Sequence, residues 1–277
     1  MKKIVLTGAS GALGHELRAT LSARCDALLS VDLVDLKTET LANETFVKAD
    51  VAELGPMLTA LEDADAVVHF AAIPDERPFE TLLGPNFIGA YNIWEAAHQN
   101  GVRRVVYASS IHAVGMYAKT DHAGLSVPHR PDSFYGLAKC FAEDLGRMYW
   151  EKRGIESVHL RICSCTPKPG NARALGTWLS YADLRQLVTR SLDTPTVEFA
   201  IVYGFSNNDR APLDNSAASF LGYRPKDNAE DYAAEILAGA PYADPENPGE
   251  VCVGGPFASV PLGESGVAGI QASASKP

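Results

Sequence analysis

The chain has no long apolar run, no block of basic residues and no disulfide-like spacing of cysteines. No stretch approaches the roughly 18 apolar residues of a membrane helix. The start, Met1-Lys2-Lys3-Ile4-Val5-Leu6, mimics a secretory leader for three apolar residues before Thr7-Gly8 ends the run, far short of an h-region. Lys plus Arg number 24 against 34 Asp plus Glu, a formal charge of −10, which suits neither a phosphate backbone nor an anionic membrane. The expected partners are a small-molecule substrate and other copies of the chain in a homo-oligomer, with no nucleic acid and no membrane. The five cysteines are odd in number, and Cys25, Cys140 and Cys252 lie far apart. Cys163 and Cys165 flank a single residue, and no second pair or nearby His completes a zinc site, so no metal is expected. Packed thiols of a reducing compartment, the cytoplasm, are the plain reading. No segment repeats at a fixed period.

What is present fits an ordinary globular chain. At 277 residues, with 46% hydrophobic and 21% charged residues, disordered, collagen-like and coiled-coil classes are excluded. The length suits one large domain or two small ones. Short β-rich runs at 3–7, 27–32, 45–48, 66–72, 103–109, 157–162 and 197–203 alternate with helical patterns at 12–23, 53–61, 80–99 and 133–152. Several runs are continuously apolar, as strands covered on both faces of a parallel sheet must be. The fold expected is α/β: a Rossmann-like, doubly wound parallel sheet. Asn100-Gly101 reads as a helix stop. A polar, proline-bearing loop is expected from about 116 to 132, and Ser180-Tyr-Ala-Asp183 reads as a capping box opening a helix to about 192. Beyond Ala240 the composition shifts to Pro, Gly, Ala and Ser. Residues 1–240 therefore read as one Rossmann-like domain, and 241–277 as an irregular or disordered tail, with an arm packed on the domain as the alternative.

The first turn carries the first chemistry. Gly8, Ser10, Gly11, Ala12, Leu13 and Gly14 form Gly-x-x-Gly-x-x-Gly between the first strand and the first helix. There glycine lets the backbone approach a pyrophosphate, and the helix N-terminus faces the anion with free N–H groups. Asp32 ends the second strand, where an acid accepts hydrogen bonds from the ribose of a dinucleotide. A 2′-phosphate there would meet a like charge, a repulsion of roughly 1–4 kcal/mol at about 4 Å, so NAD is expected over NADP. Asp50 and Val51 follow the third strand, placed to meet an adenine edge. Ala71 and Ala72 end the fourth and leave room for a dinucleotide.

Tyr135-Gly-Leu-Ala-Lys139 places a phenol and an ammonium on one face of a helix. A phenol near pKa 10 is a poor base at neutral pH, and about 4 kcal/mol of differential stabilisation is needed to bring it to about 7. A neighbouring cation favours the phenolate. Ser109-Ser110 ends the fifth strand at the edge where open α/β sheets bind ligands, and Ser110 is placed to hold a substrate oxygen. His112 either contacts substrate or lines the loop.

Gly8-x-x-Gly11-x-x-Gly14, Asp32, Ser110 and Tyr135-x-x-x-Lys139, in this order, resemble the extended short-chain dehydrogenase/reductase family over residues 1 to about 238. The stretches 86–92, 135–144 and 161–167, with Arg173 and 177–180, are most similar to its bacterial uronate dehydrogenase subgroup. The resemblance implies NAD-dependent oxidation of D-glucuronate or D-galacturonate at C1 to the aldarolactone. It implies Tyr135 as base, Lys139 as its pKa-lowering partner and Ser110 as the second hydroxyl. Asn86 and Ile162 would join the cofactor site, Ser164 and Arg173 would contact the sugar acid, and a small substrate-binding cap would be built mainly from 163–240. The guanidinium of Arg173 suits a carboxylate bidentately.

Ile111, Pro74 and Cys163 depart from that subgroup's pattern, which has polar or smaller residues there, and Pro212-Leu213 replaces a tryptophan pair. Each lost neutral hydrogen bond is worth about 1 kcal/mol, which leaves another sugar or sugar acid as the alternative substrate. A sugar-nucleotide epimerase or dehydratase and a non-catalytic NAD-binding sensor are the remaining readings.

Overall fold

A computed structural model describes residues 1–238 and 244–267. Seven parallel strands form its sheet: β1 (Lys3–Thr7), β2 (Ala27–Asp32), β3 (Glu44–Lys48), β4 (Ala66–His69), β5 (Arg104–Tyr107), β6 (Glu156–Ile162) and β7 (Phe199–Gly204), in spatial order 3-2-1-4-5-6-7. The order reverses between β1 and β4, the crevice where doubly wound sheets bind ligands. Helices α1 (Ala12–Ser22), α2 (Leu54–Ala60), α3 (Gly89–Gln99), α4 (Phe134–Arg153) and α5 (Tyr181–Asp193) cover both faces. One core layer packs Leu17 and Leu21 of α1 and Leu184, Leu187 and Val188 of α5 against the sheet. The other packs Ile93, Trp94 and Ala97 of α3 and Leu145 and Tyr149 of α4 against the opposite face. That two-sided burial explains the apolar runs of the strands.

Four local expectations are corrected. The fourth strand ends at His69 rather than Ala72, because β1 ends at Thr7 and leaves nothing beyond it to pair. The fifth ends at Tyr107, where Ser109 N turns back to Tyr107 O. The long helix expected over 80–99 is a single α-turn (Phe79–Leu82), a π-helical turn (Leu83–Ile88) and then α3. Pro85 sits in that turn without an N–H to give, which disrupts the α ladder. The capping box at Ser180 is half made. Ser180 Oγ accepts Asp183 N at 3.0 Å, but the Asp183 carboxylate accepts Lys226 N, Asp227 N and Ser206 Oγ, tying α5 to later loops.

Of the segment read as a tail, residues 244–267 lie packed on the domain, and 239–243 and 268–277 fall outside the described residues. Cys252 bridges to Ala118, Val253 N bonds Tyr117 O and Gly254 N bonds Gly115 O, each of the two N–H bonds at 2.9 Å. Further on, Gly263 N donates to Glu76 Oε1 at 2.8 Å and Val267 N to Asp75 Oδ1 at 3.0 Å. Backbone groups satisfied in this way hold a glycine-rich arm that has few large side chains to bury.

One buried network anchors the carboxyl edge of the sheet. Glu143 on α4 accepts Arg161 Nε (3.0 Å) and Nη2 (2.8 Å) from β6, Ser109 Oγ (2.5 Å) from the end of β5 and His129 Nε2 (2.8 Å) from the loop before α4. Those partners outweigh desolvation and hold its carboxyl at about 2. The hydrogen bond to Glu143 raises His129 above the ordinary histidine value. Arg161→Leu removes one partner of a pair that is 1% exposed on each side. It should cost about 3–5 kcal/mol in urea unfolding. Lys48→Ala, which breaks an exposed pair with Asp35, should leave the midpoint unmoved. Equal shifts for the two variants would contradict the structural role given to Glu143.

Candidate active site

The sequence-identified groups converge on the carboxyl edge of the sheet. Gly8, at φ +76°, turns the chain out of β1, and a Cβ there would lie 2.5 Å from Ala71 N. A Cβ on Gly14 would lie 2.0 Å from Gly8 O, so any side chain would push α1 off the turn. Gly11 N donates to Gly8 O at 3.1 Å, and the first turn of α1 has no side-chain cap and no acid, which leaves the N–H groups of Ala12 and Leu13 for an anion. Asp32 closes the far side: its Oδ2 accepts Ser10 N at 2.9 Å and its Oδ1 accepts Val34 N at 3.1 Å. Asp50 Oδ1 accepts Ala52 N, and Asn92 Nδ2 donates to Val51 O, both at 2.9 Å, so this corner is braced from below. Asn86, thrown inward by the π-turn, clamps Ile73 through N–H (2.9 Å) and C=O (3.0 Å) just beyond Ala71 and Ala72. This bare, glycine-lined helix start with an acid at the neighbouring strand end fits NAD.

Across the crevice, Ser133 Oγ caps α4 by accepting Gly136 N at 2.9 Å. A Cβ on Gly136 would lie 2.4 Å from His112 O, so glycine brings the helix tight against the loop after β5. That approach sets Tyr135, Ser110 and His112 side by side. Tyr135 is 8% exposed, and the neighbouring Ser110 side chain favours its ionised form. Ser110 bridges to Ile162 at the end of β6. His112 Nδ1 pairs with the buried Asp132 Oδ2 at 2.7 Å, which fixes the ring.

Lys139 stands behind the phenol. Its Nζ donates to Ala108 O at 2.8 Å and lies 5.2 Å from the Tyr135 ring centroid, beneath the ring. Burial draws Lys139 down to about 7 and pushes Tyr135 up to about 12, with the Ser110 hydroxyl working against the latter. In the chain alone, desolvation dominates, and the phenol is a neutral donor at pH 7.

Ser164 and Arg173 meet on the other flank. Arg173 Nη1 donates to Ser164 Oγ at 3.0 Å and Nη2 to Val253 O at 2.6 Å. Its Nε is buried without a partner, and among the described residues no carboxylate reaches it as an ion pair. Burial lowers its pKa from the ordinary arginine value.

Phe257 is a residue the sequence reading missed. It stacks on His112 at a centroid distance of 3.9 Å and packs near Tyr135 at 6.1 Å, and Gly255 brings the arm down onto Arg173. Its signal was an aromatic side chain standing after Gly254-Gly255-Pro256 in a segment otherwise poor in large residues. A separate cleft of about 520 Å³, lined by Lys2, Asp65, Arg103 and Leu192, lies at the opposite edge of the sheet and holds none of these groups.

Comparison with known proteins agrees with this geometry. The family model of the NAD dependent epimerase/dehydratase family matches residues 4–174. A uronate dehydrogenase of Pseudomonas putida is 42% identical over 257 residues, 92% of this chain and 95% of its own. The crystal structure of a uronate dehydrogenase variant from Agrobacterium tumefaciens complexed with NAD superposes with a TM-score of 0.90 at 40% identity, covering 94% of this chain and 98% of that one. A glucuronic acid dehydrogenase from Chromohalobacter salexigens gives 0.91 at 38% identity, covering 94% and 97%. A turn shaped for a dinucleotide, a tyrosine–lysine–serine group beside it and this likeness along nearly the whole chain make the protein a member of the NAD dependent epimerase/dehydratase family, alongside the uronate dehydrogenases.

Proposed function

We propose that the chain oxidises a uronic acid, D-glucuronate or D-galacturonate, at C1 to the aldarolactone with NAD. The observation that carries the substrate class is Arg173, a half-buried side chain whose Nε is buried without a partner and which no carboxylate among the described residues reaches as an ion pair. An unpaired buried charge is costly, and a substrate carboxylate meets that cost with a charge-assisted, two-point contact. Ser164 braces the guanidinium. His112, held by Asp132, and Phe257 flank the space between Arg173 and Tyr135.

At the other end of the sugar, Tyr135 Oη takes the proton of the C1 hydroxyl, and Ser110 Oγ holds the same oxygen. NAD, held by Gly8, Ser10, Gly11, Ala12, Leu13, Gly14, Asp32, Asp50, Val51, Ala71, Ala72, Asn86 and Ile162, supplies the hydride acceptor and a positive ring that favours the phenolate. Lys139, in its charged form, adds to that preference and orients the cofactor from below Tyr135. Positioning and charge carry the rate. The loops after β6 and β7, where Leu175, Trp178, Ala229 and Ala233 pack together, serve as the substrate cap, and the arm from 244 completes it.

We also place the protein in the cytoplasm as a homo-oligomer. Its five cysteines are free thiols, as a reducing compartment favours. No helix among the described residues is long and apolar enough to cross a membrane. Leu137, Phe141 and Met148 of α4, with Tyr91 of the neighbouring α3, expose apolar surface that a second copy would cover. Phe141→Glu should lower the mass measured by light scattering in solution. An unchanged mass would remove this face as the interface.

Arg173→Met should raise KM for glucuronate by roughly 10- to 150-fold, the equivalent of about 1.5–3 kcal/mol for a charged hydrogen-bonded contact. It should change kcat/KM for glucose far less, and an equal fall for both sugars would mean that Arg173 shapes the loop instead. Tyr135→Phe should bind NAD and lose nearly all turnover. Activity within tenfold of wild type would rule out Tyr135 as the base. Asp32→Ala should narrow a preference for NAD over NADP, and equal use of both by the wild type would remove Asp32 from the ribose.

A further inference from the structure

Behind Tyr135 lies a group of buried rings that proton transfer from the sugar does not use. Tyr107 ends β5 at 2% exposure, with Trp94 of α3 at 5.4 Å and His159 of β6 and His69 of β4 each at 5.5 Å between ring centroids. Lys139 Nζ lies over the Tyr107 ring, 4.9 Å from its centroid, and over the Tyr135 ring at 5.2 Å. The Tyr107 hydroxyl accepts from the same nitrogen at 3.4 Å. The ammonium thus sits between two phenol rings. An aromatic face attracts a cation and has no such attraction for a neutral amine, and a phenol oxygen likewise accepts more strongly from a charged N–H.

We propose that Tyr107 is a positioning residue for the oxidation: its ring and hydroxyl hold the Lys139 amine behind Tyr135 and favour its charged form. The proposal rests on the roles given above to Tyr135 and Lys139. Those roles need a charge where burial opposes one, since Lys139 is 2% exposed and desolvation brings it to about 7. Each element packed around the amine supplies an ionisable group. From α4, Glu143 favours the ammonium, and Tyr135 is neutral in the chain alone. From β4, His69 is uncharged, taken to about 3 by burial and by Lys139 itself. From β5, burial pushes Tyr107 well above the ordinary phenol value, so it stays a neutral ring and acceptor. Of these groups, Glu143 alone supplies a countercharge, and it is already committed to Arg161, His129 and Ser109. The two neutral contacts of Tyr107 supplement it.

Two substitutions separate the contacts: Tyr107→Phe keeps the ring and removes the hydroxyl, and Tyr107→Leu removes both. The direct readout is the titration of Lys139 in the full chain without added cofactor, followed by NMR of lysine labelled with carbon-13 at Cε. The signal is assigned by its loss in Lys139→Met. The midpoint should fall from wild type to Tyr107→Phe and again to Tyr107→Leu, the last by roughly half a unit to one and a half units. In turnover with NAD, the rising limb of kcat against pH should move upward in the same order, while KM for glucuronate stays within about twofold. A midpoint that is unmoved or rises in Tyr107→Phe overturns the proposal, and that isosteric variant decides the matter if Tyr107→Leu fails to fold. The underlying reading fails in a different way. Full turnover by Tyr135→Phe would remove the base, while a Lys139 midpoint that still followed Tyr107 would leave the grip on the amine standing.

Discussion

Glu143 is a carboxylate in the middle of a helix that packs on the sheet, 1% exposed, and the catalytic edge is built from the groups that meet its charge. Arg161 reaches it from β6, Ser109 from the end of β5 and His129 from the loop that leads into α4. A buried charge of this kind is tolerated only when every lone pair is met, so these four segments have little freedom to move relative to one another. Ser110 is the residue after Ser109, and Tyr135 and Lys139 lie two turns and one turn before Glu143 on the same helix. The relative placement of the two hydroxyls and the amine therefore follows from how one carboxylate is satisfied.

A second constraint opposes the first. Packing that fixes the site also dries it, and drying disfavours every charge the chemistry requires. Tyr135 is pushed up to about 12 and Lys139 drawn down to about 7, so burial opposes the charged form of each in the chain alone. Arg173 is held in a similar condition on the other flank, its Nε buried and no carboxylate among the described residues paired with it. In the proposed reaction, a positive cofactor ring beside the phenol and a substrate carboxylate beside the guanidinium would relieve these tensions. Ligand charge thus completes a site whose unliganded form is electrostatically unsatisfied, and this links binding to chemistry through differential stabilisation.

The parallel strands, the glycine turn and Asp32 were legible in the sequence because each is a local pattern: a run of apolar residues, a spacing, an acid at a strand end. The Tyr135-to-Lys139 spacing placed both side chains on one face of α4, but spacing carries no information about burial, and burial set their ionisation. Pro85 marked the π-turn, yet the inward reach of Asn86 to Ile73 depends on two segments meeting. Asp183 has the spacing of a capping residue and is drawn instead to Lys226 and Asp227, more than forty residues away. Phe257 was hidden for the same reason. Its segment resembles a loose tail in composition, and only backbone pairing to Gly115 and Tyr117 brings it over His112. Ser164 and Arg173 were identified from the resemblance to uronate dehydrogenases, because nothing in their spacing marks them.

The reaction proposed for this site is oxidation of an acid-bearing free sugar with net reduction of NAD. The direct measurement is NADH formed per sugar consumed by the full chain, with free D-glucuronate, D-glucose and a nucleotide-linked glucuronate supplied in parallel with NAD. The account predicts one NADH for each glucuronate turned over, a kcat/KM for glucose at least tenfold lower and no turnover of the nucleotide-linked sugar. Glucose favoured over glucuronate, or a nucleotide-linked sugar converted without net NADH, would contradict it.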